Sequence, residues 1–282
     1  MTKARRAMQE DVRAVDLVIE LVDARAPQAT RNPDIEALGR GREHIVLMNK
    51  ADLAEEDACY KWVQWFKEQE IPCFFMDARN KQQKKRLLGL IEKSCEKKRE
   101  RDRKRGILNR PLRAMVAGIP NVGKSTLINT IAGRGMAKTA NRPGVTRGNQ
   151  WIRLNPSIEL LDTPGILWPK FEDPEVGLKI AFLGSISEMT VNTEELACEL
   201  LRFLSERDQL SGMKERTGLP EAPVSTLTEA GAVLEQLAVR RGCLKEGGVP
   251  DTEKAAGILL NEFRQGQLGR ITLELPGEKE EA

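Results

Sequence analysis

No apolar run in this 282-residue chain approaches the ~20 residues that a membrane-spanning helix needs. The amino-terminal stretch MTKARRAMQEDVRAVD is charged and has no contiguous apolar core, so it does not read as a secretory signal. The five cysteines (Cys59, Cys73, Cys95, Cys198, Cys243) are odd in number and scattered, with no pair at C-x-x-C spacing. Neither a disulfide framework nor a zinc site is indicated, and a reducing, cytoplasmic compartment is expected. The single histidine, His44, opens an apolar strand-like run, and a structural role is expected for it. No internal repeat is evident. With 40% hydrophobic residues, the chain is long enough for one large or two modest domains, each with its own core.

Charge is unevenly placed. Residues 81–105 carry twelve Lys or Arg against Glu92, Glu96, Glu100 and Asp102, a net of +8, so −5 is left for the remainder of a chain whose total is +3. Taken alone, such a block reads as a solvated helical connector. A polyanionic partner gains weight only if other features agree.

Three short apolar runs, VDLVIELV (15–22), HIVLM (44–48) and IPCFFM (71–76), alternate with helix-like segments. That alternation predicts a parallel sheet with helices on both faces. A boundary follows the basic helix at Gly106 and Pro111. LRAMVAG (112–118), NQWIRLN and SIELLDTPG supply three more strands. From about Asp173, helical spacing with glycine stops takes over in ELACELLRFLSERD, EAGAVLEQLAVRRG and TEKAAGILLNEFRQG, whereas ITLEL (271–275) has no evident place. The expected organisation is an α/β domain over 1–172 and an all-α domain over 173–282.

The strongest motif is Gly118-Ile-Pro-Asn-Val-Gly123-Lys124-Ser125, a complete G-x-x-x-x-G-K-[ST] between a strand and a helix. Its amides and the helix amino terminus form a concavity for phosphates. Lys124 is expected to reach the β- and γ-phosphates, and the Ser125 hydroxyl to ligate Mg²⁺. Asn121, Val122 and Thr126 complete the loop. Asp162-Thr163-Pro164-Gly165 is an ordinary turn by itself, but two strands after this loop it reads as a switch segment. There Asp162 holds Mg²⁺ and the Gly165 amide donates to the γ-phosphate. Thr146, in the Gly- and Pro-flanked NRPGVTRG, is expected to close its hydroxyl over Mg²⁺ when a γ-phosphate is present.

Asn49-Lys50-Ala51-Asp52 fits N-K-x-D, a guanine-specificity loop. A carboxylate at Asp52 accepts the N1 and N2 hydrogens of guanine, a donor pair that adenine lacks. Asn49 is expected to tie this loop to the phosphate loop, and the Lys50 stem to pack along the base. Asp77-Ala78-Arg79 ends the next strand, where a backbone N–H is expected to meet the guanine carbonyl oxygen. The resulting order (base loop, base-edge loop, phosphate loop, two switches) is a circular permutation of the usual GTPase order. A compact sheet tolerates this if its surface connections can be rejoined.

This order, together with DARAP (23–27), NKAD, GIPNVGKSTLIN, NRPGVT and LLDTPGILWPKFED, resembles the circularly permuted ribosome-biogenesis GTPases. The resemblance covers essentially the whole chain, including RRGCL and the GG that follows it (240–248). It implies a circularly permuted P-loop GTPase domain followed by a helical RNA-binding domain. The implied activity is Mg²⁺-dependent hydrolysis of GTP to GDP, slow alone and stimulated by the ribosomal particle, in late maturation of the large subunit. A monomer with no membrane association is expected, contacting ribosomal RNA and proteins through residues 81–105 and Arg240-Arg241 among others. Lys124, Thr146 and Gly165 are the expected catalytic set. Asn121 matches an asparagine that helps hold K⁺ in potassium-stimulated relatives, although a loop-stabilising role fits it equally.

The residue after DTPG is Ile166, where many switch GTPases place a water-orienting glutamine. The family's proposed supplier is a histidine in a Phe-Pro-Gly-His stretch just before Met-x-Lys-Ala-Arg-Arg, and the present sequence opens at MTKARR. Two expectations stay open: a start placed downstream of the natural one, or a form that hydrolyses GTP poorly. The alternative function is therefore an RNA-binding assembly factor that uses GTP mainly as a conformational ligand. A P-loop ATPase or small-molecule kinase is disfavoured by NKAD. Trp62, Trp65, Trp151 and Trp168 have faces suited to stacking on RNA, but the i, i+3 spacing of Trp62 and Trp65 reads as packing.

Overall fold

A computed structural model describes residues 3–39, 41–108, 110–133, 150–163, 173–186, 191–207, 209–210 and 224–278. The chain divides into two compact units, Met1–Asp173 with Thr272–Ala282, and Pro174–Ile271.

In the first unit the described elements run α1 (Lys3–Ala14), β1 (Leu17–Asp23), α2 (Pro33–Leu38), β2 (Glu43–Asn49), α3 (Glu56–Glu68), β3 (Cys73–Phe75), α4 (Lys84–Ser94), α5 (Glu96–Lys104), β4 (Leu112–Ala117), α6 (Lys124–Ala132), β5 (Gln150–Asn155) and β6 (Ile158–Asp162). The six strands form one sheet in the order β3-β2-β1-β4-β6-β5. All neighbours are parallel except β5, which lies antiparallel on the β6 edge.

The central strand explains why its sequence is so apolar. Every residue of β1 is buried, so both of its faces are covered, and a parallel strand in that position needs a continuous hydrophobic run. Its one interruption, Glu20, is fully buried and held by the Asn32 amide (3.0 Å), Arg31 Nε (3.2 Å) and His44 Nε2 (3.1 Å). Burial pushes this carboxyl up, but the hydrogen bond and charge of His44 and the charge of Arg31 bring it below the usual carboxylate range. His44 thus has the structural role expected of it. Edge strand β3 is only three residues long, because it pairs solely with Val46–Met48 of β2.

The helices bury the apolar positions that their spacing implies. On α3, Trp62 and Phe66 pack with Val22, Ala24, Val46 and Met48, and Trp65 meets Trp62 edge-on at 5.2 Å between ring centroids. Trp62 is a core residue. Met8 and Val12 of α1 and Ile35 of α2 join Val18, Met115 and Leu161 in a second cluster. The basic segment changes character along its length: α4 buries Leu87 and Ile91, whereas α5 buries nothing.

The second unit contains α7 (Pro174–Phe182), α8 (Thr193–Glu206) and two further helices, Leu227–Arg240 and Thr252–Gln265. Local chemistry starts and stops them. Asn192 caps α8, Thr226 and Glu229 form a reciprocal capping box, and Asp251 and Gly266 bracket the last helix. Within this unit Arg241 is paired with Glu262, while Arg240 is exposed.

ITLEL is not a strand, and from Thr272 onward the chain packs with the first unit instead of with the helical domain expected over 173–282. The reason is specific hydrogen bonding: the Leu273 amide donates to the Arg25 carbonyl (2.8 Å), and the Trp62 indole donates to the Glu274 carbonyl (3.1 Å).

Candidate nucleotide site

Parallel pairing brings the carboxyl ends of β1, β2, β3, β4 and β6 to one edge of the sheet. Beside β1 lies β4, and the strands that follow them lead to opposite sides. Such a switch point opens a crevice at the carboxyl ends, where ligands bind in open α/β sheets. Among the described residues, the motif positions 49–52, 77–79, 118–126 and 162 lie at or just after these ends.

After β4, the loop 118–123 turns into α6, whose first residue is Lys124. Gly118 is required by a close approach, since a Cβ there would lie 2.4 Å from the Leu21 carbonyl oxygen. Lys124 is buried, and its ammonium donates to the carbonyls of Gly118 (3.0 Å) and Ile119 (2.8 Å) inside the loop. Burial lowers its pKa to about 8, with the Asp162 carboxylate opposing the fall. Ser125 and Thr126 occupy the first turn of α6. Asn121 takes a left-handed conformation, φ 63°.

At the end of β2, Asn49 joins three loops. Its Nδ2 donates to the Val122 carbonyl (2.7 Å), and its Oδ1 accepts the Ala78 amide (2.8 Å). The bridge from base loop to phosphate loop expected from sequence is therefore present. Gly123 makes room for it: its φ is 99°, and an added Cβ would lie 2.3 Å from Asn49 Nδ2. The base-edge loop differs from expectation. The amides of Asp77, Ala78 and Arg79 all donate within the protein, to Gln83 Oε1, Asn49 Oδ1 and Asp77 Oδ1, so none stands free for a guanine carbonyl. Holding the loops together takes the Ala78 amide. Arg79 instead contributes its side chain, pairing with Asp52 Oδ2 at 2.5 Å. Asp52 Oδ1 is buried without a partner, which makes it an acceptor suited to a ligand N–H. The Ala51 amide donates to the Met76 carbonyl (3.1 Å), tying this loop to the end of β3.

Lys50 is a non-glycine residue at φ 60°, and its ammonium donates to Asp23 Oδ2 (2.8 Å). Asp23 is buried and also held by Arg25 through Nε (2.9 Å) and Nη2 (2.9 Å). Burial works against the charge of Asp23, yet Arg25 and Lys50 keep its carboxyl well below the ordinary range. In the sequence DARAP is only a family mark, and this contact is not evident from it. Its signal was positional, because Asp23 ends β1 directly opposite Asn49 in the strand register.

Asp162 ends β6, and the Thr163 hydroxyl donates to the Val116 carbonyl (2.8 Å), pinning the chain as it leaves the sheet. Burial raises the Asp162 pKa against the pull of Lys124, and its Oδ1 is buried without a partner. Among the described residues no group of three or more His, Cys, Asp or Glu could hold a metal. The donors present fit a magnesium ion shared with phosphates, a hard cation that takes one or two protein oxygens: the Ser125 hydroxyl and the orphaned Asp162 oxygen. Thr146, Gly165 and Trp168 lie outside the described residues.

Residues 113–217 match the family described as 50S ribosome-binding GTPase. A Priestia megaterium protein named ribosome biogenesis GTPase A is 42% identical, over 100% of this chain and 96% of that one. The chain belongs to the ribosome biogenesis GTPase A family. A Thermotoga maritima protein of the same name is 31% identical over 97% of this chain and 91% of its own. Among solved structures, GNP-bound YlqF from T. maritima superimposes with a TM-score of 0.67 at 28% identity, covering 99% of this chain and 100% of that one. GDP-bound YlqF gives 0.67 at 30% identity, covering 97% and 100%. The fold is thus a circularly permuted P-loop GTPase domain with a mostly parallel sheet, plus a helical region.

Proposed function

We propose that the chain binds GTP with Mg²⁺, hydrolyses it to GDP and phosphate, and acts as an assembly switch in late maturation of the ribosomal large subunit. One observation carries the reading of the site: Asn49 bridges to Val122 while Asp52, three residues on in the same loop, keeps a buried oxygen without a partner. A base-reading carboxylate and a phosphate loop are thereby held in one rigid frame.

In this reading Asp52 accepts the guanine N1 and N2 hydrogens, with Arg79 fixing its rotamer. Lys124 and the amides of 118–126 bind the phosphates, and the Lys124 charge favours the negative charge that develops there. Ser125 and Asp162 hold Mg²⁺, which neutralises phosphate charge when bound. Gly165 is assigned to the γ-phosphate, the Thr146 hydroxyl to Mg²⁺ when a γ-phosphate is present, and Asn121 to a potassium ion. The large-subunit assignment is supported by the family description and by the exposed basic residues Arg101, Arg103, Lys104 and Arg105, which leave α5 able to meet RNA phosphates. Arg241, paired with Glu262, is a weaker candidate for RNA than Arg240.

GTP hydrolysis measured with and without large subunits, in K⁺ and in Na⁺, tests the proposal. Stimulation by the particle is the expected result. Binding without stimulated turnover would favour an assembly factor that uses GTP only as a conformational ligand.

A further inference from the structure

The stretch at 272–274 holds the neighbourhood of the base-reading loop from both sides. Upstream of that loop, Glu274 Oε1 accepts the amides of Gln28 and Ala29 (3.0 Å to Ala29), and the Leu273 amide donates to the Arg25 carbonyl (2.8 Å). Downstream, the Thr272 hydroxyl accepts the amide of Glu55, the residue that opens α3 (3.2 Å), and the Trp62 indole on α3 donates to the Glu274 carbonyl (3.1 Å). Glu274 is only 5% exposed, although it is more than 240 residues from its amide donors in sequence.

The clamped turn matters because Arg25 in it holds Asp23, and Asp23 holds Lys50. Lys50 sits at φ 60°, a conformation that a lysine keeps only when its surroundings enforce it. Two residues on, Asp52 presents its unpartnered oxygen. None of the strap contacts named above involves residues 118–126.

We propose that Thr272–Glu274 form a positioning strap for guanine recognition, with Glu274 its principal residue. It acts through Arg25 and Asp23 on Lys50 and so on the aim of Asp52. The inference rests on the GTP-binding reading of the site and adds to it the element that sets base selectivity.

The test uses the full chain and compares affinities for GDP and for inosine diphosphate, which lacks the exocyclic amine. Glu274→Ala is expected to weaken GDP about tenfold, the scale of one lost hydrogen bond to a charged group, and to affect the inosine nucleotide less, so that the preference shrinks. Glu274→Gln keeps an acceptor oxygen in place and should retain the preference. Thr272→Val, a milder change, should reduce it partially, and it decides the matter if Glu274→Ala does not fold. A folded Glu274→Ala or Thr272→Val chain with the parental GDP to inosine diphosphate ratio, or with both nucleotides weakened equally, overturns the strap, as does a Glu274→Gln chain that loses the preference. A parent chain that does not distinguish the two nucleotides overturns the guanine-site reading itself.

Discussion

Gly123→Ala, combined with Asn49→Ala, asks whether the base loop and the phosphate loop form one device. At Gly123 an alanine meets two separate costs. Its φ of 99° is foreign to residues with a side chain, a strain on the order of 1–2 kcal/mol. Its Cβ would also fall 2.3 Å from Asn49 Nδ2, displacing that amide from the Val122 carbonyl. The displaced bond is buried, and leaving such partners unsatisfied costs about 1–3 kcal/mol. In the Asn49→Ala background the clashing atom is absent, so only the backbone strain remains. The two substitutions should therefore be non-additive, with a coupling of about 1–3 kcal/mol, or roughly 5- to 150-fold in affinity. Dissociation constants for a fluorescent GDP analogue in the parent, both single variants and the double variant give this coupling directly. Denaturant unfolding of the same four proteins separates binding from stability. Additivity within about 0.5 kcal/mol would show that Gly123 and Asn49 act independently and would refute the single-frame argument.

Asp52→Asn replaces an acceptor with a carboxamide that presents N–H toward the guanine donors; GTP binding should fall by ~100-fold or more and xanthine nucleotide should be favoured, as competition assays would show. Unchanged GTP affinity would remove Asp52 from the base site. Lys124 ionises at about 8 in the free site, against an ordinary 10.5, and phosphates favour its charged form. Nucleotide affinity should therefore hold steady below that pH and fall by up to about tenfold per unit above it. The same depression makes folding stability rise with pH between these two values, because there the unfolded chain binds the extra proton. A flat affinity profile across this range would show that Lys124 stays charged. Replacing Arg101, Arg103 and Lys104 together by alanine should lower the salt dependence of large-subunit binding by about two units of log–log slope, measured by pelleting at several salt concentrations.

Much of the site was legible because its residues answer to local constraints. Lys124 opens a helix after a glycine loop, and Asn49 and Asp52 follow an apolar strand, so both motifs carried their structural context with them. The helix stop at Gly266 was likewise written in short range. What escaped depends on register or on long-range contact. The role of Asp23 appears only when β1 and β2 pair so that Asp23 faces Asn49. A backbone N–H of Asp77-Ala78-Arg79 reads as available to a ligand because nothing in DAR shows that Asn49 Oδ1 takes the Ala78 amide. ITLEL carried a strand composition, yet its backbone serves Arg25 and Trp62 and its Thr272 hydroxyl serves Glu55, contacts that no local pattern encodes.

These tail contacts also bear on what permutation does to this fold. The site needs strand ends, and strand ends converge whatever the chain order, so moving the base loop ahead of the phosphate loop leaves the crevice intact. The helical unit, in contrast, becomes an insertion: the first unit resumes at Thr272 after Ile271. One junction follows the Asp162 strand and the other begins the strap. A fragment ending at 172 would therefore lose residues 272–274 along with the helices. Its guanine selectivity should drop, and the strap accounts for that drop without any contribution from the helices. A chain with Pro174–Ile271 replaced by a flexible linker and Thr272–Ala282 retained should recover the selectivity. Failure to recover it would assign the loss to the helical unit.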